Sequence, residues 1–175
     1  DMDTLSYYVI VASAGHDTTS AGIAGGLLAL LQHPDQLARL QADPSLMGTA
    51  MEEMVRWVTP VKEFMRTAQA DTEVRGVPIK KGDAVLLSYI SANRDEDVFT
   101  DPMSFDVARD PNKHLAFGYG VHFCLGASLA RMEMNSFFTE LMPRIKSIEF
   151  AGEPELVAST FVGGVKHLPI RYSLK

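Results

Sequence analysis

Apolar residues recur at helical spacing over the first thirty positions. Leu5, Tyr8, Val9 and Ala12 make one stripe, and Ile23, Leu27, Leu30 and Leu31 make another. Tyr7 to Val11 is also rich in β-branched and aromatic residues, so a strand competes with a helix there. Between the stripes, Ala14-Gly15-His16-Asp17-Thr18-Thr19 has two readings. In one, the chain turns at Gly15 and Asp17 or Thr18 caps a second helix. In the other, one long helix runs through, loosened where a threonine hydroxyl bonds a preceding carbonyl. Pro34 closes this stretch and opens a helix over residues 35–42. Asp43-Pro44-Ser45 is a further break, with Ser45 as the expected N-cap of a helix over residues 46–58 that stops before Pro60.

Beyond Thr67 the pattern shortens to that of strands. Thr72 to Val74 and Val77 to Ile79 flank a turn at Arg75-Gly76, and Lys81-Gly82-Asp83 turns before Ala84 to Leu87. Asp101-Pro102 and Asp110-Pro111 punctuate a long irregular stretch. Leu129, Met132, Phe137 and Leu141 mark the expected buried face of a later helix. Residues 151–175 read as two apolar strands around Gly163-Gly164. The predicted organisation is one domain: helical over 1–58, strand-rich over 59–91, irregular over 92–116, a glycine-rich loop over 117–126, helix over 127–150 and strands over 151–175. The fold class is mainly α with a small β region (α+β).

The chain has 175 residues, enough for one domain with a substantial core. A net charge of −6 and the lack of a basic run argue against a nucleic-acid partner. No apolar stretch is long and charge-free enough to span a bilayer, and the first residues carry no secretory signal pattern. One cysteine, Cys124, excludes an internal disulfide and fits a reducing cytoplasm.

That cysteine sits in Phe117-Gly-Tyr-Gly-Val-His-Phe-Cys-Leu-Gly126, behind two glycines and ahead of a helix start. A thiol placed so can be a nucleophile, a metal ligand or a buried small residue. Zinc lacks the necessary further ligands, and no hydrolase signature accompanies a Cys124–His122 pair. The whole string, Phe-Gly-x-Gly-x-His-x-Cys-x-Gly, resembles the haem-binding loop of the cytochrome P450 family.

The resemblance extends along the chain and implies its roles residue by residue. Cys124 would be the thiolate ligand of the iron of haem b, with Phe117, Gly118 and Gly126 shaping the loop and His122 and Arg66 binding the propionates. Ala14-Gly15-His16-Asp17-Thr18 resembles the oxygen-activation motif: Asp17 and Thr18 would guide protons during dioxygen activation, and Ala14 and Gly15 would leave room above the haem. Glu53 and Arg56, three apart, read by themselves as a surface ion pair. In the family such a pair joins an arginine of the irregular stretch, here Arg109, and holds the structure together. Val61, Phe64, Phe161 and Val162 are the implied substrate contacts. Lys62 and Glu63 are unusual beside such a pocket, and an outward orientation is the alternative. Arg131 is read either as a plain solvated arginine or as part of a docking face for an acidic redox partner.

The resemblance further implies the C-terminal part of a longer bacterial, cytoplasmic, monomeric monooxygenase. Its substrate would be small and apolar. Electrons would come from NAD(P)H through a reductase and a 2Fe-2S ferredoxin. Residues 60–68 and 161–164 are similar to terpene-oxidising members of the alpha-terpineol-hydroxylating type. A peroxide-using enzyme is the alternative, against which the Asp17-Thr18 pair argues, and a non-enzymatic haem-binding protein is a third reading.

Overall fold

A computed structural model describes residues 1–175. Helix α1 runs unbroken over Met2–Gln32, so the chain neither turns at Gly15 nor forms a strand at Tyr7. The Thr18 hydroxyl donates to the Ala14 carbonyl at 2.7 Å, a bond that stays inside the helix. Helix α2 (Pro34–Ala42) begins on its proline. Asp43, not Ser45, is the capping residue of the next segment: its carboxylate accepts from the Ser45 N–H at 3.0 Å and holds a 3₁₀ turn, Pro44–Leu46. Helix α3 (Met47–Val58) ends at Thr59, buried and left-handed at φ 45°.

Four antiparallel pairs make the β structure. Strand β1 (Glu63–Thr67) pairs with β4 (Ala84–Ser88), placing Arg66 opposite Val85. Strands β2 (Thr72–Val74) and β3 (Val77–Ile79) form a hairpin whose two turn residues, Arg75 and Gly76, both have positive φ. A single helical turn, α4 (Tyr89–Ala92), leads into the irregular stretch, where Phe99, Phe105 and Val107 are buried. Helix α5 spans Ala127–Arg144 and stops six residues before the expected end. Pro143 deprives its last turn of a donor, and Ile145–Phe150 leaves as strand β5 to pair with β8 (Ile170–Leu174). Strands β6 (Glu155–Leu156) and β7 (Val165–His167) flank the tail's turn.

The core forms where the second half of α1 meets α3 and α5. Leu27, Leu30, Met51, Met54, Met134 and Phe138 are at its centre. Most of the α5 face expected to be buried is not: Leu129, Met132 and Phe137 are exposed, Leu141 is half-buried against the core, and Ala127, Met134, Phe138 and Met142 pack. The first half of α1 is apolar and uncovered, with Leu5, Tyr8, Val9 and Ile10 all exposed. No helix is long and apolar enough to cross a membrane.

Candidate functional site

The loop before α5 is built on two positive-φ glycines, Gly118 (φ 72°) and Gly120 (φ 65°). Its entry and exit are stitched by Cys124 N–H to the Phe117 carbonyl at 2.8 Å, and Gly118 N–H to that of Leu115 at 2.8 Å. A Cβ at Gly118 would meet the His122 carbonyl at 3.2 Å, so the backbone there would have to give by a few tenths of an ångström. The 3₁₀ turn Gly120–His122 then delivers Cys124, a free and exposed thiol, three residues before the first turn of α5.

Behind the loop lies a charged support that the sequence pattern does not mark. Arg131 of α5 forks onto Glu52 of α3, Nε to Oε1 at 2.5 Å and Nη2 to Oε2 at 2.9 Å. Its guanidinium carbon stands 4.5 Å from the centre of the Phe117 ring. His114, its side chain only 3 % exposed, meets the same carboxylate, Nε2 to Oε2 at 2.9 Å. Its Nδ1 accepts from the Ala116 N–H at 3.3 Å, which assigns the proton to Nε2. Burial pushes the Glu52 carboxyl up, but the hydrogen bonds from His114 and Arg131 outweigh it and hold it at about 2. Glu52 in turn raises the Arg131 guanidinium above its ordinary value. Arg131 is therefore engaged inward, not a freely solvated side chain.

Glu53, the next residue, faces another way and is fully buried. It accepts from Arg56 Nε and Nη2, both at 2.7 Å, from Arg109 Nε at 3.1 Å, from Asn112 Nδ2 at 3.1 Å and from the Asp106 N–H at 2.9 Å. The pair is thus an interior one, in place of the surface pair that its spacing alone suggests. Asn93, also buried, completes the frame: its Oδ1 accepts from the Leu115 N–H at 2.7 Å, and its Nδ2 donates to Thr59 Oγ1 at 2.9 Å. Nothing in the local sequence singles out Glu52, Asn93 or His114, because their partners lie far away along the chain.

Arg66 and His122 line one open cleft of about 380 Å³, together with Leu87, Tyr89, Leu115 and Gly118. No carboxylate lies within 4.0 Å of Arg66 (its Nη1 donates only to the Met65 carbonyl, at 2.9 Å), so its charge is available. The four apolar candidates also come together. Val61 bridges Val162 as an isolated β pair, and the Phe64 and Phe161 rings stand edge to face at 5.3 Å. Asp17 and Thr18 are less engaged. The Asp17 carboxylate is mostly exposed, 3.9 Å from His16 Nε2, and neither residue is hydrogen-bonded to the loop. Ala14 and Gly15 are exposed, and a Cβ at Gly15 would meet nothing within 4 Å.

The site thus combines an exposed thiol with a cleft, lined in part by the same loop, that carries a guanidinium without a carboxylate partner and an imidazole. A profile of the cytochrome P450 family matches residues 45–155. The chain belongs to that family. It is 56 % identical over 168 residues to the protein named cytochrome P450-terp from a Pseudomonas species, covering 96 % of this chain and 39 % of that one. It is 45 % identical over 170 residues to a methyl-branched lipid omega-hydroxylase of Mycobacterium tuberculosis, covering 96 % and 40 %. Among solved structures, CYP108D1 of Novosphingobium aromaticivorans superposes with a TM-score of 0.90 at 53 % identity, covering 97 % of this chain and 41 % of that one. This P450 chain thus spans about two fifths of the length of these relatives. Its helices and small sheets are those of the matching portion of the P450 fold.

Proposed function

We propose that this chain carries the haem-holding part of a bacterial haem-thiolate monooxygenase that hydroxylates a small apolar, terpene-like or alkyl-aromatic substrate. The observation that carries the reading is the placement of exposed Cys124 on a backbone-locked loop whose neighbouring cleft holds both Arg66 and His122. Cys124 would ligate the iron, and Arg66 and His122 would take the propionates. When bound, a thiolate-ligated haem supplies dioxygen activation and insertion of one oxygen atom into a C–H bond.

The chain's own residues would do the rest. Phe117, seated on Arg131, backs the cysteine. The Thr18 hydroxyl donates its proton to the Ala14 carbonyl, so its oxygen is left to accept from a proton donor in the pocket. Asp17, in contact with solvent, would supply protons to that region. Phe64 and Phe161 would form an apolar wall that excludes water and orients the substrate. The name of the 56 % identical relative supports a terpene-like substrate, and other relatives named monooxygenases and hydroxylases support the reaction type. Electron delivery by a 2Fe-2S ferredoxin, in a cytoplasmic monomer, rests on the family resemblance.

The deciding measurement is the absorption spectrum of the reduced, carbon monoxide-bound full-length protein. A thiolate-type Soret band is expected in the wild type and its loss in Cys124→Ser. A wild type without that band refutes the reading.

A further inference from the structure

Lys62 is a cation in an apolar wall. It follows Val61 and precedes Glu63 and Phe64, yet its half-buried side chain does not turn out to solvent. The ammonium reaches across to the tail's turn and donates to the Ser159 carbonyl at 2.5 Å. No carboxylate of this chain lies within 4.0 Å of it, and this carbonyl is its one hydrogen-bond partner within the chain. The backbones are joined at the same place: Lys62 N–H donates to the Phe161 carbonyl at 2.8 Å, and Gly163 N–H to the Pro60 carbonyl at 2.9 Å. Gly163 is buried, and a Cβ there would collide with Lys62 Cε and stand 3.0 Å from Nζ. The lysine stem therefore occupies the space that a side chain at 163 would need.

We infer that Lys62 is a positioning residue, a pin seated over Gly163 that locks residues 159–163 against 60–64 and so fixes the Phe64–Phe161 wall and the size of ligand it admits. The inference rests on the reading of that wall as the substrate contact. A charge-assisted bond from a flexible side chain can hold such a junction without a ladder of strand pairs, and only one isolated bridge, Val61 to Val162, is present. Gly163 has the complementary duty. Because the clash would fall on the far end of a flexible side chain, Gly163→Ala expels the ammonium and leaves the backbone in place. Lys62→Ala and Gly163→Ala should therefore act through one event and be non-additive.

The test uses the full-length protein with haem and two iron-coordinating probes, imidazole and 4-phenylimidazole. The second carries an added phenyl ring that probes the apolar surroundings of the bound ligand. Lys62→Ala and Gly163→Ala should each change the ratio of the two dissociation constants by about five- to tenfold, and the double variant should match the single ones. A purely structural role would change haem content or both constants together, and would leave the ratio unmoved. Hydrogen exchange gives a haem-independent reading: the Gly163 amide in Lys62→Ala, and the Lys62 amide in Gly163→Ala, should exchange at least about threefold faster. Ratios within about twofold of wild type, additive effects in the double variant, or unchanged exchange would each overturn the pin. If the wild type lacks the thiolate-type spectrum, the monooxygenase reading falls, and the exchange measurement alone decides the pin.

Discussion

Replacing Glu52 by glutamine tests the charged support behind the cysteine loop. In the folded chain the carboxyl sits at about 2, against an ordinary 4.5. With each pH unit worth about 1.36 kcal/mol, that gap sets a ceiling of about 3 kcal/mol. A quarter of the side chain remains exposed, and solvent screening brings the value to about 1–2 kcal/mol. A carboxyl held below its unfolded value stabilises the fold fully above about pH 4.5, and the contribution fades as pH falls toward about 2. Glu52→Gln should therefore destabilise the full-length protein by about 1–2 kcal/mol at pH 7. The loss stays in that range because Arg131 and His114 keep their contacts with the Phe117 ring. Urea unfolding of wild type and variant at pH 7, 5 and 4 measures it. The difference should be constant from pH 7 to 5 and shrink by up to about 0.8 kcal/mol by pH 4. A difference that is the same at pH 7 and pH 4 would refute the assignment of that stability to the ionised carboxylate.

Arg66→Leu and His122→Ala should each lower haem retention in the full-length protein, Arg66→Leu more so, because its guanidinium has no other charge to satisfy; haem transfer to apomyoglobin measures it. Gly118→Ala should cost about 1–2 kcal/mol, from positive φ combined with the contact to the His122 carbonyl, read as a lowered midpoint in urea. Thr18→Val should leave the stability in urea within about 0.5 kcal/mol of wild type, since its hydroxyl bond is local to the helix; under the proposed monooxygenase function it should also raise the hydrogen peroxide released per product formed by the full-length protein.

How far the molecule is legible in its sequence differs from element to element. The helices α2 and α3 are legible because their apolar residues repeat at helical spacing and proline stops them; the continuity of α1 is not, because Gly15 and the Asp17-Thr18 cap signal fit a break as well as a single helix. The buried face of α5 is not, because the helix carries apolar residues on two sides. Spacing cannot choose between Leu129-Met132-Phe137 and Met134-Phe138-Met142; the partner elements α1 and α3 make that choice. The end of α5 is hidden because Ile145–Phe150 continues an apolar pattern and becomes a strand only by pairing with residues 170–174. In the site, the glycines, Cys124 and the Glu53–Arg56 spacing are visible locally. The Glu52–His114–Arg131 group is not, since its members are 62 and 79 residues from Glu52. Lys62 stands out only as a cation out of place, and the carbonyl that accounts for it is 97 residues on.

The two acid-centred groups show why this fold uses buried ions where apolar side chains would usually serve as well. Glu52 and Glu53 are neighbours on α3, and a helix sends neighbours in directions about 100° apart. One reaches the cysteine loop through His114 and Arg131, and the other reaches the irregular stretch. That stretch has no ladder to satisfy its carbonyls. Arg56 does so instead, donating to Asn93, Pro102 and Ser104, and Arg109 donates to Thr100, Asp101 and Ser104. A buried ion pair can often be exchanged for apolar residues at little cost, but here the exchange would strand the enclosed carbonyls of Asn93 and Pro102. The triple variant Glu53→Met, Arg56→Met, Arg109→Met should therefore lose roughly 3 kcal/mol, chiefly from the Asn93 and Pro102 carbonyls that Arg56 satisfies, at about 1–3 kcal/mol each; the Thr100, Asp101 and Ser104 carbonyls bonded by Arg109 are exposed and can turn to water. Urea unfolding of the full-length protein provides the measurement. A triple variant as stable as wild type would mean that packing, not hydrogen bonding from the arginines, holds the irregular stretch against α3.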